Sequence, residues 1–160
     1  MKGFSFSMCL VFWLVVSQSI SAMTFNDFSG KTRHLSEHVG AGKWTVVMLW
    51  SHNCSICRRE TPALTQFHLK HRASDAQVIG VSIDGHKNKS KAQAFMQQTG
   101  MGFPSYIGEL VLLAADFYQI TGEAFRGTPS FLLFNPSGEL MGMQAGPVRV
   151  EALEKFIANN

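Results

Sequence analysis

The chain has 160 residues, 46% of them hydrophobic, and a formal net charge of +3 at neutral pH. That length suits one domain able to bury a core without added cross-links. The charge is too mild to imply a nucleic-acid partner, and the basic residues do not gather into an aromatic-laced stripe.

Met1-Lys2 forms a short basic start, Met8 to Val16 an apolar core, and Ser17 to Ala22 a run rich in small residues. This is the pattern of a signal peptide over residues 1–22, cut after Ser21 or Ala22. The apolar run is short for a bilayer span, although an uncleaved membrane anchor stays open as the alternative. Cys9 leaves with the leader, so residues 23–160 hold only Cys54 and Cys57. Export, with a periplasmic location, places these two where disulfides form and persist.

Phe25 to Leu35 reads as an extended hairpin turning at Ser29-Gly30, and Gly40-Ala41-Gly42 ends this N-terminal β extension. Thr45 to Trp50 and Val78 to Ile83 are β-branched, apolar runs of the length of strands buried on both faces. A helix from about Cys54 to His71 joins them into a right-handed βαβ unit. His86, Lys87, Lys89 and Lys91 read as a solvated loop leading into a helix that Ser90 caps and that spans about Lys91 to Gln98. A further helix is expected from about Glu109 to Gln119, ending near Gly122. Phe131 to Asn135 and Leu140 to Gln144 make a hairpin across Pro136-Ser137-Gly138-Glu139, and Val150 to Ala158 closes the chain as an amphipathic helix.

Cys54-Ser55-Ile56-Cys57 lies where the strand ending at Trp50 passes into a helix. Unpaired N–H groups and the helix dipole at such a start favour a thiolate over a thiol. Cys54 is therefore the expected nucleophile and Cys57 the resolving thiol. Zinc sites also use C-x-x-C, but a structural site needs about four ligands and no second pair follows, so no metal is expected. His52, two residues before Cys54, reads either as an exposed loop histidine or as a group that stabilises the thiolate when charged. Arg58 and Arg59 raise the local positive potential or are simply surface residues.

Five features together resemble the thioredoxin fold, and within it the exported TlpA/ResA-like thiol-disulfide oxidoreductases. They are the strand-Trp50-x-x-x-Cys54 lead-in, the dithiol, the sequel Arg58-Arg59-Glu60-Thr61-Pro62, Phe103-Pro104, and Gly127-Thr128-Pro129 before an apolar strand. The resemblance covers roughly residues 25–158 and implies an α/β fold with a central mixed β-sheet flanked by helices. It implies that the peptide bond before Pro129 is cis and faces the dithiol, and that Pro62 kinks the active-site helix. Met48 stands where thioredoxins carry a buried aspartate, so Glu60 is the candidate proton acceptor for Cys57, one helical turn away; its alternative is a solvated carboxylate. Trp50, Thr128 and Pro129 are the implied substrate contacts, with Trp50 alternatively filling the core.

The function expected from this likeness is thiol-disulfide exchange by a monomer that needs no cofactor beyond the Cys54-Cys57 couple. Its partners are cysteine-containing exported proteins. The resemblance favours a reductase, served by a membrane thiol reductant of the DsbD type and acting on substrates such as apocytochrome c. An oxidant or isomerase would use the same residues. Two further alternatives are a peroxiredoxin-like peroxidase, from Ser51-x-x-Cys54, and a copper-binding module completed by His86 or His68.

Overall fold

The computed structural model describes residues 23–160; the expected leader, residues 1–22, lies outside the described residues. Eleven regular elements follow in chain order: β1 (Thr24–Asn26), β2 (Thr32–His34), β3 (Trp44–Trp50), α1 (Ser55–His71), β4 (Ala76–Ser82), α2 (Lys89–Thr99), β5 (Ser105–Ile107), α3 (Leu110–Thr121), β6 (Ser130–Phe134), β7 (Leu140–Ala145) and α4 (Val150–Ala158). The strands form one mixed sheet in the order β2-β1-β5-β4-β3-β6-β7. β3, β4 and β5 are parallel, whereas β6 runs antiparallel to β3 and β7 antiparallel to β6.

Strand alternation divides the core. Trp44, Val46, Met48 and Trp50 point to one face, where they meet Leu64 and Phe67 of α1, Ala92 and Phe95 of α2, and Leu153 and Ile157 of α4. Val47 and Leu49 point to the other, against Leu113 and Phe117 of α3 and against Phe25 and Leu35 of the N-terminal hairpin. β3 is thus buried along its whole length, as its unbroken apolar run requires. His68 of α1 is drawn into this interior, where its Nδ1 accepts the Val78 N–H at 3.1 Å and burial holds its pKa below the ordinary value.

Two expectations need correction. α2 starts at Lys89 with Asn88 at the N-cap and no side-chain cap, so Ser90 lies inside the helix. Between α2 and α3 the chain adds β5, three residues that pair with the end of β4 and with Asn26 of β1. Through that bridge the N-terminal hairpin joins the main sheet. The C-terminal ends of β3, β4 and β5 consequently lie side by side, and the loops leaving them share one edge of the molecule.

Candidate active site

β3 delivers the chain to Ser51-His52-Asn53, and α1 begins directly after Cys54. Cys54 is the N-cap, with extended backbone angles, and its Sγ accepts the Cys57 N–H at 3.0 Å. Sulfur here takes the place of the oxygen that ordinarily caps one of the orphan N–H groups of a helix start. The two cysteines are joined in a disulfide, with Cα atoms 5.3 Å apart. Cys54 is half-buried and Cys57 fully buried, so only the first sulfur is open to another molecule.

Gly127, Thr128 and Pro129 come from the loop between α3 and β6. Thr128 Oγ1 lies 3.3 Å from Ser51 Oγ, which also donates to Asn53 Oδ1 at 2.7 Å. The turn preceding Cys54 is thereby tied to the segment preceding β6. The Thr128-Pro129 peptide is cis. Pro129 is buried, whereas Thr128 is partly exposed.

Glu60 is half-buried one turn beyond Cys57. Its Oε1 accepts the Val148 N–H at 3.0 Å, while Oε2 is buried with no hydrogen-bond partner. Burial raises its pKa above the ordinary glutamate value, against the smaller opposing effects of the Val148 N–H and the Arg59 charge. A carboxylate so placed has spare acceptor capacity and raised proton affinity, the two properties that a proton acceptor for a thiol needs.

His52 is held rather than loose. Asp84 receives its backbone N–H at 2.9 Å and faces its Nδ1 at 2.7 Å, and Ser82 Oγ donates to the same carboxylate at 2.6 Å. The Asp84 side chain is only 5% exposed. Nothing in the sequence reading singled out Asp84, because it lies 32 residues from its partner. Its place just past a parallel strand, where ligand sites gather in α/β sheets, was the available signal.

Trp50 does not fit the substrate-contact role that the resemblance implied. It is 0% exposed, stacks on Phe95 with ring centroids 4.8 Å apart, and donates its indole N–H to Ser105 Oγ at 3.0 Å. It is core beneath the dithiol. The histidines that a copper site would need are also engaged elsewhere. His68 lies eleven residues along α1 from Cys57, roughly 16 Å by helix rise, and His86 Nε2 is 3.3 Å from Asn26 Oδ1.

The AhpC/TSA family matches residues 16–143. Among curated proteins, the sporulation thiol-disulfide oxidoreductase A of Bacillus subtilis is 22% identical over 116 residues, 72% of this chain and 67% of the relative. The thiol-disulfide oxidoreductase ResA of Halalkalibacterium halodurans is 25% identical over 131 residues, 82% of this chain and 69% of the relative. Among solved structures, a thioredoxin-family thiol:disulfide interchange protein from Chlorobium tepidum superposes with TM-score 0.71 at 17% identity, covering 86% of this chain and 92% of that one. A secreted disulfide oxidoreductase of Mycobacterium tuberculosis gives TM-score 0.68 at 17% identity, covering 90% and 100%. The architecture is the thioredoxin fold.

Proposed function

As the chain belongs to the AhpC/TSA family and is a thiol-disulfide oxidoreductase, we propose that it exchanges the Cys54-Cys57 couple with cysteines of other exported proteins, chiefly as a reductase. The observation that carries this reading is the unequal burial of the two sulfurs at the mouth of α1. Cys54, as thiolate, attacks a substrate sulfur and forms a mixed disulfide, releasing the first substrate thiolate. Glu60 takes the proton from Cys57, whose sulfur then attacks Cys54 and releases the second thiol. Two electrons pass from the dithiol to the substrate. Thr128 and Pro129 flank the site and offer backbone to a substrate strand. Pairing of Cys54 with Cys57 favours this exchange over peroxide consumption, since the resolving thiol stands ready within one helical turn.

The reductase direction, an apocytochrome c substrate and a membrane thiol donor of the DsbD type rest on the TlpA/ResA likeness. Periplasmic location rests on the leader-like residues 1–22, with residues 23–160 acting as a monomeric thioredoxin-like unit. Among the described residues no helix is long and apolar enough to cross a membrane. Equilibration with thiol buffers tests the direction. A reduction potential near that of thioredoxin, about −270 mV, supports the reductase reading, and one near that of DsbA, about −120 mV, overturns it.

A further inference from the structure

Beside the dithiol lies a cleft of about 250 Å³ lined by His52, Arg58, Lys91, Ala94, Phe95 and Gln98. Its walls come from both sides of the reactive cysteine. His52 precedes Cys54 by two residues, and Arg58 follows it by one helical turn, with the Arg58 N–H donating to the Cys54 carbonyl at 3.2 Å. The cleft is therefore walled by residues that flank Cys54 on either side in the chain.

Its charge is one-sided. Asp84 is the acidic group at its margin, and that carboxylate is taken up by His52 and Ser82. Among the described residues neither Arg58 nor Lys91 has a carboxylate within ion-pair distance. The Arg58 guanidinium is also held in place: its Cζ sits 4.9 Å from the Phe95 ring centroid, over the face of a ring that stacks on Trp50, and Nη1 donates to Gln98 Oε1 at 3.2 Å. Two cations, one of them fixed on an aromatic stack, thus line this cleft, and neither is ion-paired with a carboxylate among the described residues.

We propose that this cleft binds a carboxylate carried by the disulfide or thiol substrate, close to its reacting sulfur, and so selects acidic substrates. The inference rests on the oxidoreductase reading above. Arg58 and Lys91 act on the substrate's charge and take no part in bond exchange. The reaction itself is unchanged: the dithiol loses two electrons and two protons as its disulfide forms, and the substrate disulfide becomes two thiols.

The test is a single-turnover reaction of the reduced protein with three small disulfides: 3,3′-dithiodipropionate, anionic; bis(2-hydroxyethyl) disulfide, neutral; and cystamine, cationic. Each rate is divided by the rate of the same compound with dithiothreitol, which removes intrinsic reactivity. At low salt the anionic compound should react at least about tenfold faster than the cationic one, as expected for electrostatic steering into a charged cleft. At about 1 M salt, where the screening length falls to about 3 Å, the ratio should approach one. Lys91→Glu should abolish or invert the preference for the anionic over the cationic compound. Lys43→Glu, with the same change of net charge but at the opposite end of β3, where Lys43 Nζ bonds the Arg72 carbonyl, should preserve it. Mixed disulfides of cysteine peptides flanked by Glu or by Gln add a second arm. Acceleration by the Glu flanks assigns the site to acidic polypeptides, and acceleration confined to dithiodipropionate assigns it to small acidic thiols. Equal normalised rates for anion and cation, or a preference that survives Lys91→Glu, would overturn the proposal while leaving the oxidoreductase reading intact; no reaction with the neutral disulfide would defeat the parent reading instead.

Discussion

Replacing Glu60 by Gln and by Ala separates its two jobs. The Val148 N–H depends on Glu60 Oε1 for its hydrogen bond, and this bond ties the segment before α4 to α1. Alanine strands that part-buried N–H, at a cost towards the lower end of the range of about 1–3 kcal/mol for a donor left unpaired. Glutamine keeps a carbonyl oxygen there and should cost less. The charge effect has the opposite sign. Burial raises the Glu60 pKa above its ordinary value of 4.5, so the folded protein holds a proton that the unfolded chain has already released. Wild-type stability from this group is fully present below about pH 4.5 and is lost as pH rises through the folded pKa. Relative to wild type, Glu60→Gln should therefore gain stability as pH rises through that window, while Glu60→Ala remains the weaker of the two variants. In catalysis both lose the proton acceptor, and resolution of the mixed disulfide by Cys57 should slow by about a hundredfold or more, the ordinary worth of a positioned base. Urea melts from pH 4 to 8 and stopped-flow release of a chromogenic thiol measure the two effects. Resolution rates in Glu60→Gln that match wild type across that range would refute the reasoning.

Cys57→Ser should accumulate covalent complexes with exported partners through Cys54, and Cys54→Ser should accumulate few, read on non-reducing gels; the reverse pattern contradicts the assignment. Gly80→Ala tests Trp50 as core. A Cβ there would sit 2.8 Å from Trp50 Nε1 and 2.7 Å from Ser105 Oγ, so denaturation should show a loss of about 1–3 kcal/mol typical of overpacking. Intact mass of exported protein should place the first residue at Ala22 or Met23, and retention of Met1 would favour the anchored form.

Local pattern carried most of the elements. β3 could be read as Thr45 to Trp50 from its β-branched, apolar run, one residue short of its start at Trp44, and α4 from its amphipathic spacing, to the residue. β5 was missed because three residues bonded to a strand more than 20 positions earlier have no periodicity of their own. In the site, the order of the two cysteines followed from the strand-to-helix junction. The partners of the flanking groups did not. Glu60 meets Val148 across 88 positions and His52 meets Asp84 across 32, contacts set by the sheet rather than by neighbours in the chain. Trp50 shows the converse: the resemblance implied contact with substrate and left core filling as the alternative, and alternation along β3 turns it inward onto Phe95. Lys91, which reads as part of a solvated basic run, sits in the cleft beside Arg58 because α2 packs against α1.

The central claim is two-electron exchange that begins at Cys54 and ends in the Cys54-Cys57 disulfide. Mixing fully reduced protein with excess model disulfide, quenching with acid at intervals and mapping the sulfurs by peptide mass spectrometry tests it directly. Two substrate thiols should be released per protein, with a transient adduct on Cys54 alone and an intramolecular disulfide at completion. An adduct that forms on Cys57 first, or a stable adduct with a single thiol released, would contradict it.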